Sequence, residues 1–311
     1  MLDTVKGISY KAFGLMILSE ISLPELPQIN KTIENIDVVI EIDGLTEVWN
    51  KHNQDKKHLI ATDDGVLMKI PNAAVFYIQA GKRIIVSPLK DYDEDAIRLY
   101  LLGSCMGIIL MQRKILPLHG SAVAIDGKAY AFIGESGAGK STLAAAFMNK
   151  GYELLTDDIV AISFKHNQIP IVTPAYPHQK LWKQSLQAFG MESNQYRPIF
   201  QRETKYSVPV SSQFHGNELP LGGIFELVKE NCGQIAIQPI KKLKRLQTLF
   251  LHTYRNFLIT RLNLMEWHFN VSTNLINRLP MYRLQRNTLD FTAHELVTLV
   301  LNTIHEEASV K

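Results

Sequence analysis

The chain has 311 residues, of which 46% are hydrophobic and 20% are charged, and its formal net charge is +3. This composition is typical of a soluble globular protein, and the length allows a small and a large domain. So small a net charge gives no argument for nucleic-acid binding. Two cysteines without paired spacing exclude a disulfide framework and a cysteine-based zinc site, and they fit a reducing cytoplasm.

Residues 8–90 contain short β-type runs separated by turn residues. The clearest of these runs are residues 38–42, 58–62, 66–70, 74–79 and 83–87. They predict a small, mostly β N-terminal domain over residues 1–90, followed by a second domain over 91–311. Charged residues near the N-terminus interrupt any apolar core of a secretory signal, so we expect a cytoplasmic protein.

A helical period replaces the β pattern between about residues 91 and 113. Ile97, Leu101 and Cys105 recur at a spacing that places them on one broad face. The most apolar stretch, residues 99–111, is too short to span a bilayer. We therefore expect a buried helix that leads into the second domain, and no membrane partner.

The second domain is predicted to open with a β-hairpin, because strand residues 118–125 and 129–133 flank an Asp126-Gly127 turn. Further strands are predicted at 153–164, 222–228, 234–239 and 281–285, and helices at 140–149, 241–259 and 292–307. The last helix begins with a capping box formed by Thr292 and Glu295. Helices on a mixed sheet predict an α/β core.

A phosphate-binding loop lies between the predicted strand 129–133 and helix 140–149. Its pattern, G-x-x-x-x-G-K-[ST], is filled by Gly134, Gly139, Lys140 and Ser141. Loop N–H groups and the positive end of the following helix would bind a phosphate, Lys140 would reach the β- and γ-phosphates, and Ser141 would ligate Mg²⁺. The alternative is a tight turn with no ligand. The predicted nucleotide-binding residues are Gly134, Glu135, Ser136, Gly137, Ala138, Gly139, Lys140, Ser141 and Thr142.

Two adjacent acids, Asp157 and Asp158, interrupt an otherwise apolar strand. Burying unpaired carboxylates is costly, and a nearby magnesium ion would resolve that cost. Neighbouring residues on a strand point to opposite faces, so the two acids should have different tasks. One would hold the metal or its waters, and the other would accept a proton from an attacking hydroxyl. Alternatively, the pair simply ends a strand in solvent.

Other candidate site residues each have a structural and a functional interpretation. His119, at the start of a strand, is either structural or orients an aspartate. Trp182, in a possible helix, is either core packing or a substrate platform. Arg202, Lys205 and Arg255 are either exposed charges or cations that stabilise a γ-phosphate in transfer.

Taken together, these residues resemble the HPr kinase/phosphorylase family. The shared motifs are a His-Gly-x-x-Val strand at 119–123, the phosphate loop at 134–141 and an Asp-Asp-x-Val strand at 157–160. The resemblance implies ATP and Mg²⁺ as cofactors and a core near that of phosphoenolpyruvate carboxykinase. It also implies that Asp157 is the catalytic acid/base, that Asp158 and Ser141 lie at Mg²⁺, and that His119 supports the aspartates.

The remainder of the chain departs from HPr kinases, because residues 163–191 contain no Asp or Glu where that family supplies another acid near the metal. Segments 10–15, 19–21, 174–177, 180–182, 205–210 and 252–255 instead look like the HPr-kinase-related serine kinases of lasso peptide gene clusters. That resemblance implies phosphorylation of the C-terminal serine of a precursor peptide. A true HPr(Ser) kinase/phosphorylase and a non-catalytic nucleotide-dependent regulator remain alternatives. The oligomeric state stays open, since no residue here carries over the hexamer of HPr kinases.

Overall fold

The computed structural model describes residues 7–30, 35–53, 57–230, 235–241, 243–287 and 290–309. Three β-sheets and nine α-helices are found in these ranges. The mixed α/β class predicted from the sequence is confirmed. Within the same ranges, every helix is too short or too polar to cross a membrane.

The first sheet contains seven strands, in the spatial order β1-β2-β3-β7-β6-β5-β4. They are β1 (Ile8–Ala12), β2 (Leu15–Ser19), β3 (Val38–Ile42), β4 (Leu59–Ala61), β5 (Gly65–Lys69), β6 (Ala74–Gln79) and β7 (Arg83–Pro88). Helix α1 (Thr46–His52) packs Trp49 against Leu67 and Tyr77 on one face of this sheet. The five β runs read from residues 38–87 all form strands within two residues of their predicted bounds.

The other face of the first sheet packs on a helical segment, residues 94–112. It consists of α2 (Glu94–Tyr100), a π-helical turn (Leu101–Cys105) and α3 (Met106–Gln112). Asp93 caps it, because its Oδ1 accepts a hydrogen bond from the Ala96 N–H at 3.0 Å. The core that contains this helix also includes Ile159 and Ala161 of the second sheet. One apolar core therefore crosses residue 90, and the division into two domains stays a prediction.

The rest of the chain supplies eleven strands and six helices. The strands are β8 (Leu116–Ile125), β9 (Lys128–Ile133), β10 (Glu153–Thr156), β11 (Ile159–Phe164), β12 (Pro170–Thr173), β13 (His178–Trp182), β14 (Arg197–Ile199), β15 (Arg202–Pro209), β16 (Leu219–Glu230), β17 (Ala236–Pro239) and β18 (Met281–Asn287). The helices are α4 (Lys140–Asn149), α5 (Lys183–Ala188), α6 (Lys244–His252), α7 (Phe257–Arg261), α8 (Met265–Arg278) and α9 (Ala293–Ser309).

The second sheet is mixed, with the order β10-β8-β11-β12-β16-β18-β17, and β9 pairs with both β8 and β16. The predicted hairpin is confirmed: β8 and β9 are antiparallel and turn at Asp126 and Gly127, whose φ angles are 49° and 73°. Strand β16 runs parallel to β9 and to β18. A third, smaller sheet has the order β13-β15-β14. None of its three strands was predicted from the sequence.

Two helix predictions were wrong in detail. The predicted helix 241–259 is broken after His252, where Tyr254 donates its N–H to the Pro117 carbonyl oxygen at 2.8 Å and Arg255 has a φ of 51°. The hydrogen bond at this break attaches the segment to β8, and no local sequence signal predicts such a contact. At the start of α9, the hydroxyl of Thr292 has no hydrogen-bond partner among the described residues, so the predicted capping box does not form.

Candidate active site

The phosphate loop connects β9 to α4 and requires glycine at its first position. Gly134 has a φ of 150°, and a Cβ there would lie 2.4 Å from the Leu227 carbonyl oxygen of β16. Gly139 has a φ of 107° and directly precedes α4. These conformations are strained for residues with a side chain. The loop is thus wrapped closely against β16, with its open side at the N-terminus of a ten-residue helix.

Lys140 is buried and folds back over the loop. Its Nζ donates hydrogen bonds of 2.9 Å to the carbonyl oxygens of Gly134 and Glu135. Burial lowers the pKa of Lys140 to about 8, against the opposing influence of Asp157 and Asp158. The negative charge of a triphosphate bound in the loop would stabilise the ammonium form of Lys140.

The predicted nucleotide-binding residues form this loop and the first residues of α4. Ser136, Gly137, Gly139, Lys140, Ser141 and Thr142 line a cavity of about 370 Å³, which we call the phosphate cavity. Gly134 and Glu135 line a shallower cavity beside it, and Ala138 is buried in the core behind the loop.

The acidic pair does not follow the alternation predicted for a continuous strand. Strands β10 and β11 both pair antiparallel with β8, and Asp157 and Asp158 lie between them; the register with β8 shifts earlier, between Leu154 and Thr156. Asp158 has a φ of 78°, and its carbonyl oxygen accepts a hydrogen bond from Gly120 N at 3.2 Å. With this left-handed backbone at Asp158, both carboxylates line the phosphate cavity. The prediction of opposite faces was wrong.

The two carboxylates nevertheless have different partners. Asp157 is buried, and its two oxygens accept hydrogen bonds from the Ser121 hydroxyl and, at 2.8 Å, from the backbone N–H of Lys180. Asp158 faces charged groups instead: its Oδ2 lies 2.7 Å from Lys180 Nζ. Although burial raises the pKa of Asp158, the Lys180 ammonium outweighs this effect and is the main reason that the pKa lies well below its usual range. Asp158 is therefore anionic, whereas Asp157 is held in place by neutral donors.

Lys180 is a site residue that sequence reasoning did not select. It comes from β13, inside the segment 163–191 that contains no acid. Burial lowers the pKa of Lys180, but the Asp158 carboxylate outweighs this effect and raises it above its usual range. A signal was present: buried Gln179 and Leu181 alternate with His178, Lys180 and Trp182, which lie on the cavity side.

His119 contacts Asp158 and not Asp157. Its Nδ1 lies 3.1 Å from the Asp158 carbonyl oxygen and 3.5 Å from Oδ1 of the same residue. Burial lowers the pKa of His119 more than Asp158 raises it, so the ring is neutral near pH 7. Its other neighbour is Tyr254, whose ring meets it edge-on at 5.8 Å. This geometry suits a residue that positions Asp158.

The three candidate substrate cations all line the phosphate cavity; Arg202 is exposed, whereas Lys205 and Arg255 are partly buried. Lys205 Nζ and Arg202 Cζ lie 5.5 and 5.9 Å from the centre of the Trp182 ring. Arg255 donates two hydrogen bonds to the Ser104 hydroxyl, at 2.6 and 3.1 Å. Trp182 ends a strand and is 38% exposed, so its interpretation as a helical core residue was wrong.

The charge of the phosphate cavity suits a polyanion. Its lining contains five cations, Lys140, Lys180, Arg202, Lys205 and Arg255, and two carboxylates, Asp157 and Asp158. Anionic groups entering such a cleft are attracted before they make contact.

The residues present fit a magnesium ion that is shared with a nucleotide. Among the described residues, no group of three or more His, Cys, Asp or Glu side chains could hold a metal alone. Ser141 and Asp158 do supply hard oxygen donors in one cavity, and Mg²⁺ in phosphate sites commonly uses one or two protein oxygens with phosphate oxygens and waters. Lys180 Nζ donates a hydrogen bond to one oxygen of Asp158, and the other oxygen has no such charged donor at this distance in the described part of the chain.

Comparison with known proteins gave one curated sequence match. No family model matches the chain. A stretch of 69 residues, 22% of this chain, is 35% identical to the HPr kinase/phosphorylase of Mycoplasmopsis pulmonis and spans 22% of that protein. The match confirms similarity to this kind of enzyme over that stretch, while the narrower resemblance to kinases of lasso peptide clusters stays a prediction.

A solved structure was also found, the HPr(Ser) kinase/phosphatase from Coxiella burnetii. It aligns over 62% of this chain and 98% of its own, at 14% identity and a TM-score of 0.34. A likeness of this size does not establish a shared fold.

Proposed function

We propose that this protein is an ATP- and Mg²⁺-dependent serine kinase that phosphorylates a peptide, with the C-terminal serine of a lasso peptide precursor as its acceptor. The observation that supports this most directly is the shared cavity: Lys140 of the phosphate loop and Asp157, a carboxylate held by two donors, line the same net-positive space. A protein that only binds nucleotide has no need of such a base.

In this proposal the phosphate loop amides and Lys140 bind the β- and γ-phosphates. Ser141 and Asp158 would hold Mg²⁺, which would supply neutralisation of the phosphate charge. The nucleoside extends into an adjoining cavity of about 610 Å³ that is lined by Gly137, Trp182 and Arg286, among others. Arg286 is already fixed beside the loop, because its Nε donates to the Ala138 carbonyl oxygen at 2.6 Å.

The transfer step follows from the two acids. The acceptor hydroxyl oxygen attacks the γ-phosphorus while the bond from that phosphorus to the β-γ bridging oxygen breaks, and ADP leaves. Asp157 accepts the hydroxyl proton, since the Ser121 hydroxyl and the Lys180 N–H fix its orientation without neutralising its charge. Lys205, Arg202 and Arg255 stabilise the charge on the phosphoryl group in transfer.

Phosphopeptide mass spectrometry on the Asp157→Asn variant tests this assignment. We expect transfer to a serine peptide to fall by about 10²–10⁴-fold, because the variant loses the proton acceptor. ATP affinity should stay unchanged, since the phosphate loop is intact. Asp63→Asn, which replaces an exposed turn acid of the first sheet, is the matched control.

Three outcomes would decide between the candidates. Wild-type transfer by Asp157→Asn would refute the role of Asp157. Phosphorylation of HPr, and of no other acceptor, would identify an HPr kinase. Release of ADP without any phosphopeptide would favour a nucleotide-dependent regulator.

A further inference from the structure

A second cavity opens on the other side of Asp157, and we call it the side cavity. It has a volume of about 290 Å³ and lies between helix α2, the Pro24–Glu25 loop and the sheet of β13, β14 and β15. Five residues line both this cavity and the phosphate cavity: Leu99, Asp157, Lys180, Ile199 and Phe200. The proton acceptor of the proposed reaction therefore lies where the two cavities meet.

The two cavities differ in charge. The side cavity has equal numbers of the two signs, with Arg98, Lys180 and Arg197 against Glu25, Asp95 and Asp157. Arg98 is buried and already forms ion pairs with Glu25 and Asp95. Unlike the phosphate cavity, this space has no excess of cations with which to attract a nucleotide.

Most of its wall is apolar. Leu99 and Leu102 face it from the helix, and Tyr176, Tyr196 and Phe200 contribute aromatic side chains from the opposite wall. The volume is just below the range of about 300–1,000 Å³ that is usual for small-molecule sites. It has room for one large side chain next to the reacting group.

Glu25, which lines the side cavity, has one carboxylate oxygen without a hydrogen-bond partner among the described residues. This oxygen, Oε2, is buried. Burying such an oxygen is unfavourable unless a donor reaches it.

We infer that the side cavity binds the acceptor residue that directly precedes the phosphorylated serine, and that it selects a large apolar or aromatic side chain. The inference rests on the proposed function, because it places the serine hydroxyl at Asp157 between the two cavities. A C-terminal serine has a neighbour on one side only, so the preceding residue is the one that fills the space. Selectivity then comes from apolar burial rather than from charge.

Steady-state kinetics with matched peptides test this. Two peptides that end in Phe-Ser or Gly-Ser and are otherwise identical should differ at least about tenfold in kcat/KM, in favour of phenylalanine. In Ser207→Phe, a new ring from β15 enters the side cavity, and the ratio should fall toward one while ATP affinity is kept. Thr204→Phe adds the same ring at an exposed position of the same strand and should leave the ratio unchanged.

The outcomes separate the two levels of the proposal. Equal kcat/KM for the two wild-type peptides, or an unchanged ratio in Ser207→Phe, would overturn the side-cavity inference and leave the kinase standing. Failure to phosphorylate any peptide, with transfer to small alcohols only, would overturn the proposed function and this inference together.

Discussion

Lys180 and Asp158 form an ion pair whose two members should depend strongly on each other for their contribution to the free energy of unfolding. At 2.7 Å and an effective dielectric constant of about 20, two unit charges attract by about 6 kcal/mol. Desolvation offsets much of this, since the side chains are only 17% and 21% exposed. We expect Lys180→Met and Asp158→Asn each to lower the free energy of unfolding by about 2–3 kcal/mol, because each leaves one charge without its partner.

A double-mutant cycle by urea unfolding measures this coupling. The double variant removes both charges, so its loss should be smaller than the sum of the single losses by about 2 kcal/mol. The exposed pair Lys165 and Glu218 is the control, with side chains 58% and 36% exposed. A cycle on that pair should give less than about 1 kcal/mol. If the Lys180 and Asp158 losses add to within about 0.5 kcal/mol, the reasoning is refuted.

Two further predictions concern stability. Burial lowers the pKa of His268 to about 4. Between pH 6.5 and 4 the unfolded chain therefore binds a proton that the folded chain does not. As the pH decreases through this window, the free energy of unfolding should fall by up to about 3 kcal/mol. Urea unfolding at several pH values should show a flatter profile for His268→Gln, and an identical profile would contradict this cause. Gly134→Ala should cost at least about 2 kcal/mol in thermal unfolding, because its Cβ would clash with the Leu227 carbonyl oxygen. Gly216→Ala, with no atom within 4 Å of its Cβ, is the control, and equal losses would refute the clash.

Local sequence signals predicted the phosphate loop well. The predicted strand 129–133 and helix 140–149 correspond to β9 (Lys128–Ile133) and α4 (Lys140–Asn149). Glycine spacing, an apolar run and a helix-forming run all lie within about 20 residues, so no distant contact was needed to identify them. Such local signals could not predict the side-chain conformation of Lys140, which folds back onto the carbonyl oxygens of the loop.

The acidic pair shows where such reasoning fails. Strict alternation placed Asp157 and Asp158 on opposite faces, but the left-handed backbone at Asp158 directs both into one cavity. That conformation is imposed by β8, which pairs with the chain on both sides of the break. Lys180 was missed for a similar reason, since its partner lies 22 residues away and β13 reaches it only through tertiary packing.

The helical segment 94–112 belongs to two parts of the molecule at once. Leu101 and Ile108 share an apolar core with side chains of the first sheet. Ser104, one turn away, accepts a hydrogen bond from Arg255 at the rim of the phosphate cavity. A shortened protein that began near residue 91 would expose the apolar side chains of this helical segment to water. It would also leave Ser104, the hydrogen-bond partner of Arg255, less firmly positioned. Fragments meant to keep the phosphate cavity intact should therefore retain the strands that precede this helical segment.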